Sequence, residues 1–102
     1  MYENKEEIEK VILFAVDLDN DEQVPANLDE LEELVATAGA ETLGRMIQNK
    51  DSIEKATYLG SGKVEELRDM VERLGATGVV CDDELSPIQM KNLEQELDTK
   101  VM

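Results

Sequence analysis

The feature that most constrains the fold is an unbroken apolar run, Val-Ile-Leu-Phe-Ala-Val, at residues 11–16, which Asp17 closes. The run is rich in branched side chains and shows neither two-residue alternation nor helical spacing. This pattern is typical of a strand buried on both faces, and such strands lie in parallel sheets that helices cover on both sides. The run therefore predicts an α/β fold.

The segments that follow alternate between helical and strand patterns. Asn27 with Glu30 resembles a capping box, so we predict that a first helix starts at Asn27, and Gly39 ends it. The apolar face of this helix is predicted to contain Leu28, Leu31, Leu34, Val35 and Ala38. A second strand is predicted over residues 41–47, then a mobile polar loop over 48–55 and a short strand over 57–59.

The second half of the chain continues this alternation. A second helix opens at residues 60–62, carries Val64, Leu67, Val71 and Leu74 at spacings of three and four, and ends at Gly75. A buried strand follows over residues 77–81. Ser86 as N-cap and Pro87 at the first helical position start a third helix, which ends near Asp98 and buries Met90, Leu93 and Leu97. A last strand starts at Lys100.

This order predicts a mostly parallel sheet of four to five strands with helices on both faces, a Rossmann-like three-layer α/β fold. We expect an acidic lead over residues 1–9 and one domain over residues 10–102. The N-terminus lacks the basic and then apolar order of a signal peptide, and no apolar run is long enough to span a membrane. We therefore expect a cytoplasmic monomer or weak dimer that has no contact with membranes.

The charge balance limits the partners of the chain. Acidic residues number 25 and basic residues 10, a formal net charge of −15, and residues 1–34 alone hold 12 acids and 2 bases. This excess argues against sequence-independent binding of nucleic acid, which requires Lys and Arg against phosphates. Residues 45–73 hold 6 bases and 6 acids, so we expect any contact with an anion in that segment.

Few side chains in this sequence are of the types that act in catalysis or bind metal ions. The chain has no His, three aromatic residues and a single cysteine, Cys81, which we interpret as a small core residue. One cysteine cannot form an internal disulfide, in line with a reducing compartment. We therefore expect no catalytic residue, no metal ligand and no cofactor in this chain.

Gly60, Ser61, Gly62 and Lys63 lie between a predicted strand and a helix, where backbone N–H groups and the lysine can hold an anion. A nucleotide P-loop needs a glycine where Thr57 stands and a hydroxyl where Val64 stands. Three interpretations remain: a tight turn with an N-cap, a contact with an anion or an RNA phosphate, and a true nucleotide site.

Asp82, Asp83 and Glu84 follow a buried strand, at the edge of the sheet where ligands of α/β proteins bind. They could bind a divalent ion, form a solvated loop before the positive end of the next helix, or contact a partner domain. The first helix carries four more acids between its apolar positions, which indicates a solvated face or a surface for a basic protein: Asp29, Glu30, Glu32 and Glu33.

Two long segments are similar to a known family. Thr-Tyr-Leu-Gly-Ser-Gly-Lys-Val-Glu-Glu-Leu at residues 57–67, followed by Asp-Asp-Glu-Leu-Ser-Pro-Ile-Gln-Met-Lys-Asn-Leu-Glu at residues 82–94, closely resembles the N-terminal domain of the HflX family of translational GTPases. The resemblance extends to residues 16–18, 31–34 and 37–40, and so covers nearly the whole chain after about residue 10.

The resemblance implies a ribosome-associated GTPase that acts on the large subunit in the rescue or splitting of stalled ribosomes under stress. GTP and Mg²⁺ belong, in that family, to a separate GTPase domain beyond a helical hairpin, and this chain contains neither. The resemblance thus implies a non-catalytic domain whose partners are the large ribosomal subunit and its own GTPase domain. The alternatives are a stand-alone nucleotide- or anion-binding domain that uses residues 60–63, and an acidic protein-interaction module.

The hallmark positions of the family become the candidate residues for binding RNA or a partner. They are Gly60, Ser61, Gly62, Lys63, Asp82, Asp83, Glu84 and Ser86.

Overall fold

The computed structural model describes residues 8–20 and 22–102, so most of the predicted acidic lead lies outside the described residues. The elements in chain order are β1 (Lys10–Asp17), α1 (Gln23–Thr37), β2 (Glu41–Asn49), α2 (Ser61–Leu74), β3 (Gly78–Cys81), α3 (Pro87–Leu97) and β4 (Lys100–Val101). The four strands form one sheet in the order β2-β1-β3-β4, and every neighbouring pair is parallel. The predicted α/β fold is confirmed.

Strand β1 lies in the middle of the sheet and is buried on both faces. Ile12, Phe14 and Val16 belong to the core beneath α2 and α3, while Val11 and Leu13 belong to the core beneath α1. Each of these side chains is at most 6% exposed. This two-sided burial is the reason why the apolar run does not alternate with polar residues.

In the second half of the chain, α2 ends and α3 begins at the predicted capping residues. Gly75 ends α2 in the left-handed region at φ +72°, where side chains are disfavoured. The Gln89 N–H donates to Ser86 Oγ at 3.2 Å, and the Ser86 N–H donates to Gln89 Oε1 at 2.9 Å. This reciprocal capping box confirms the predicted start of the third helix at Pro87.

The predicted start of the first helix is wrong. Helix α1 begins at Gln23, four residues before Asn27, and has no side-chain cap at its start. Asn27 Oδ1 instead accepts a hydrogen bond from Gln23 Nε2 at 3.1 Å. Pro25 is tolerated in the first turn because the N–H groups there have no partner within the helix. Leu34, predicted to face the core, is 67% exposed.

The predicted short strand over residues 57–59 is also wrong. The segment is a tight turn in which Tyr58 adopts φ +68° and forms a single antiparallel bridge with Glu54. The Tyr58 N–H donates to the Glu54 carbonyl at 2.9 Å. Residues 48 and 49, predicted to start a loop, instead extend β2, because they pair with Val16 and Asp17 of β1.

None of the described helices combines the length and the apolar character needed to cross a membrane.

The burial of α2 can be tested with a matched pair of leucines. Leu67 is fully buried, whereas Leu74, predicted on the same face, is 40% exposed. We expect Leu67→Ala to lower the free energy of unfolding by about 2–5 kcal/mol and Leu74→Ala to change it by less than about 1 kcal/mol. Urea denaturation followed by circular dichroism measures both, and equal losses would show that the α2 face is assigned incorrectly.

Candidate functional site

The two candidate loops lie at one edge of the sheet. All strands of a parallel sheet end at the same edge, and residues 60–63 start α2 after the chain leaves β2. Residues 82–86 connect the end of β3 to α3. Both loops therefore lie at the carboxyl edge, where ligands of open α/β sheets bind.

Tyr58 connects the two loops. Its hydroxyl donates a hydrogen bond to the Asp83 carboxylate and accepts one from the Val16 N–H at 2.9 Å. The ring is 1% exposed and packs edge-on against Phe14, with 5.9 Å between the ring centroids. Burial, and next the Asp83 carboxylate, raise the pKa of Tyr58, so the phenol remains a proton donor at neutral pH.

Three amide side chains fix the segment that precedes α2. Gln48 Oε1 accepts from the Gly60 N–H at 2.9 Å. Gln89 Nε2 donates to the Glu54 carbonyl, and Asn92 Nδ2 donates to the Ala56 carbonyl, both at 2.9 Å. These contacts join the end of β2 and one side of α3 to the same turn, so the 60–63 loop is held from both sides.

The two glycines of the 60–63 loop differ in what the fold requires of them. A Cβ on Gly60 would lie 3.0 Å from Gln48 Nε2, so glycine lets this amide approach the backbone. A Cβ on Gly62 would meet no heavy atom within 4 Å, and its backbone is not left-handed. Glycine is a poor helix former, and nothing in the described chain requires one at position 62.

Lys63 forms an ion pair with an acidic residue of its own helix. Its Nζ lies 3.1 Å from the Glu66 carboxylate, and both side chains are partly exposed. The cavity beside Ser61 is lined by two carboxylates, those of Glu65 and Glu96, together with Thr57 and Val64. Because carboxylates repel phosphate groups, this lining disfavours the alternative of a nucleotide site at residues 60–63.

The side chains of the 82–86 loop differ from one another in the contacts that they make. Asp83 accepts from Tyr58, and Ser86 caps α3. Asp82 and Glu84 form no side-chain hydrogen bond or ion pair within the described residues. Burial, then Asp83 and then Glu30 of α1, raise the pKa of Asp82. Among residues 8–20 and 22–102, no group of three or more acids, His or Cys is arranged to hold a metal ion.

Cys81 packs at the edge of the larger core and is half-buried. Burial is the main cause that raises the pKa of its thiol to about 12. The thiolate, which is the nucleophilic form, is therefore scarce at neutral pH, as expected of a structural cysteine.

The sequence analysis named candidate residues in both loops, but it did not name the residues whose side chains connect the two loops. Tyr58 and Asn92 lie in the two segments that resemble the family but were not among the candidate residues, and Gln48 lies in neither segment. The available signal was a tyrosine two residues before Gly60, in a chain with three aromatic residues.

The comparisons with known proteins agree with this architecture. The model of the family described as GTP-binding GTPase N-terminal matches residues 25–102, and the chain belongs to this family. The predicted resemblance to the HflX N-terminal domain is thereby confirmed.

Several relatives are proteins named GTPase HflX. The chain is 56% identical over 102 residues to that of Lacrimispora saccharolytica, a match that covers all of this chain and 24% of the relative. It is 44% identical over 94 residues to that of Caldanaerobacter subterraneus subsp. tengcongensis, covering 92% of this chain and 22% of the relative. The Escherichia coli protein is 29% identical over 102 residues, covering 100% of this chain and 24% of the relative. The chain thus spans about a quarter of the length of these relatives.

Removing the Tyr58 hydroxyl should destabilise the domain. Tyr58→Phe leaves the buried Val16 N–H without its acceptor and Asp83 without its donor, so we expect a loss of about 1–3 kcal/mol in the free energy of unfolding. Asp83→Asn keeps a carbonyl oxygen as acceptor and should cost less. A Tyr58→Phe variant as stable as the parent chain in urea would contradict the role of this hydroxyl.

Asp82 should make stability depend on pH. Its folded pKa lies above the ordinary value of 3.8, so ionised Asp82 weakens the folded state above that raised pKa. We expect Asp82→Asn to be more stable than the parent at pH 7, with a difference that fades as the pH falls through the raised pKa and vanishes below 3.8. A difference independent of pH, measured by urea denaturation, would show that the substitution acts through packing instead.

Proposed function

We propose that this chain is the non-catalytic N-terminal domain of an HflX-type GTPase, where it contributes to binding of the large ribosomal subunit and to regulation of the GTPase domain. The observation that carries the proposal is the hydrogen bond from Tyr58 to Asp83. It connects the two candidate loops, residues 60–63 and 82–86, at the carboxyl edge of the sheet. Membership of the GTP-binding GTPase N-terminal family supports the same assignment.

Of the two loops, the 60–63 loop is the better candidate for contact with an RNA phosphate, even though the two carboxylates that line the neighbouring cavity weaken binding of any phosphate there. Ser61 is exposed, Gly62 leaves open space above the backbone, and the first N–H groups of α2 lack partners within the helix. Helix N-termini and backbone N–H groups bind phosphate, and such contacts position a protein without reading sequence. The Lys63–Glu66 pair is partly exposed and of low energy, so Lys63 can exchange Glu66 for a phosphate.

The 82–86 loop is suited to a protein partner. Within residues 8–20 and 22–102, Asp82 and Glu84 form no ion pair with a base, and the chain as a whole has a net charge of −15. These charges repel an RNA backbone and favour a basic protein surface. In the proposal this loop contacts the GTPase domain, and the N-terminal domain regulates the GTPase domain through that contact.

GTP and Mg²⁺ bind, in this proposal, in the GTPase domain and not in this chain. The residues present do not fit a P-loop, because Thr57 and Val64 replace the first glycine and the Mg²⁺-binding hydroxyl. We assign no step of GTP hydrolysis to this chain. A cytoplasmic location, where ribosomes translate, belongs to the same proposal.

Co-sedimentation with purified large ribosomal subunits tests the RNA contact. We expect binding that weakens from low to moderate salt, and that Lys63→Glu and Gly62→Ala both reduce, the former by about tenfold. Lys91→Glu makes the same charge change at an exposed position of α3 and should leave binding unchanged. Absence of binding at both salt concentrations, or equal losses for Lys63→Glu and Lys91→Glu, would overturn the assignment of this loop.

The regulatory part is tested in a full-length HflX-type protein. We expect deletion of the domain that corresponds to this chain to change both the rate of GTP hydrolysis and the affinity for large subunits. If both quantities are unchanged, the proposal fails in both parts.

A further inference from the structure

Tyr58 is an unusual residue for the backbone conformation that it adopts. Three non-glycine residues of the described chain have positive φ angles: Asn20, Tyr58 and Asp98. Asn20 and Asp98 are exposed and of types that tolerate the left-handed region, whereas Tyr58, at φ +68°, is aromatic and 1% exposed. Disfavoured backbone conformations persist where the surrounding structure holds them, and they are frequent at binding sites and switch regions. The conformation at Tyr58 therefore depends on the contacts of its side chain.

The Tyr58 hydroxyl has one strong acceptor. It donates to the Asp83 carboxylate, and it accepts from the Val16 N–H at 2.9 Å. The Cys81 thiol also interacts with the phenol, but sulfur is a weak acceptor. If Asp83 is withdrawn, the buried hydroxyl loses its acceptor, which is costly away from water. A rearrangement that brings the hydroxyl to water and moves Tyr58 out of the left-handed region relieves both penalties at once.

A partner can reach this connection at Asp83. Asp83 is exposed, whereas Tyr58 and Val16 are buried. A Lys or Arg of a partner can therefore contact the Asp83 carboxylate without touching Tyr58. Because such a base competes with the phenol for the same carboxylate, its binding withdraws the acceptor from Tyr58.

A rearrangement at Tyr58 moves the start of α2. Two side chains of α3 hold the carbonyls of Glu54 and Ala56, so the chain before Tyr58 stays in place. Gly60, two residues after Tyr58, is the N-cap of α2. A change of φ at Tyr58 therefore changes the position of the first N–H groups of α2, which are the groups that the proposed function assigns to a phosphate.

We propose that Tyr58 couples the two candidate loops, so that a basic partner bound to Asp83 lowers the affinity of the 60–63 loop for a phosphate. Coupling between two sites is reciprocal, so a phosphate bound at residues 60–63 lowers the affinity of the 82–86 loop for that partner by the same factor. The identity of the two ligands, an RNA phosphate and the GTPase domain, rests on the proposed function. The ribosome and the GTPase domain then compete for this domain without sharing a contact residue.

Backbone amide NMR tests the coupling in the absence of either ligand. Asp83→Ala removes the acceptor of the phenol, and we expect it to shift the amides of residues 58–63 and to speed hydrogen exchange at Tyr58 at least about tenfold. Asp19→Ala removes an exposed carboxylate at the same edge that forms no ion pair within residues 8–20 and 22–102, and it should leave these amides unchanged. Asp83→Asn retains an oxygen acceptor and should fall between the two.

Co-sedimentation with purified large ribosomal subunits tests the effect on the phosphate contact. Asp83→Ala removes a negative charge, so electrostatics alone predicts tighter binding of RNA, whereas the coupling predicts binding weaker by at least about fivefold. Tyr58→Phe breaks the same hydrogen bond from the other side and should cause an equal loss. The double variant should bind no more weakly than either single variant, because both substitutions act through one connection.

Val35→Ala controls for the lower stability of these variants. Val35 packs in the core beneath α1, on the opposite face of the sheet from Tyr58. We expect Val35→Ala to lower the free energy of unfolding without weakening the binding of subunits. Asp19→Ala should not weaken that binding either.

Several outcomes would overturn the coupling. These are equal shifts of residues 58–63 in the Asp83→Ala and Asp19→Ala variants, binding of subunits that Asp83→Ala leaves unchanged or tightens, losses that add in the double variant, and an equal loss for Val35→Ala. If the parent chain does not bind the subunits, the proposed function fails, and the amide shifts still decide whether Asp83 controls residues 58–63. The two proposals can therefore fail separately.

Discussion

The structure depends on the burial of β1 on both faces. The strand has no polar side chain between residues 11 and 16, so helices must cover both sides of the sheet. It pairs with β2 on one edge and β3 on the other, so both halves of the fold form around it. Because all four strands are parallel, every βα connection leaves the sheet at its carboxyl edge, and this is how the two candidate loops come to lie together.

At that edge, the buried phenol of Tyr58 connects the two candidate loops. Tyr58 reaches from the turn before α2 to the end of β1 and to the loop after β3. Because burial keeps the phenol protonated, this connection does not change with pH in the neutral range. Among the described residues, this edge carries the N-terminus of α2, Lys63 paired with Glu66, and the carboxylates of Asp82 and Glu84, which form no ion pair there.

The sheet, α2 and α3 were predictable because their signals are local. A buried strand, a helical apolar stripe, a capping box and a glycine each act within a few residues, and the structure follows them. The start of α1 was not predictable, because packing on β1 and β2 extends the helix beyond Asn27 without a cap. The turn around Tyr58 was not predictable either. Its hydrogen bonds to Asp83, Gln89 and Asn92 come from residues at least 25 positions away along the chain. For the same reason both candidate loops could be named from the sequence, whereas the connection between them could not.

The central position of β1 also has a consequence during synthesis. Val11 pairs with Thr42 and with Gly78, so this apolar segment is synthesised well before either of the strands that it pairs with. Until then it is an exposed strand of the kind that promotes aggregation. The acids concentrated in residues 1–34 flank this segment on both sides, and charges in such positions act as gatekeepers that keep a nascent apolar strand soluble. We therefore expect the acidity of the N-terminal third to keep this segment soluble before the sheet forms.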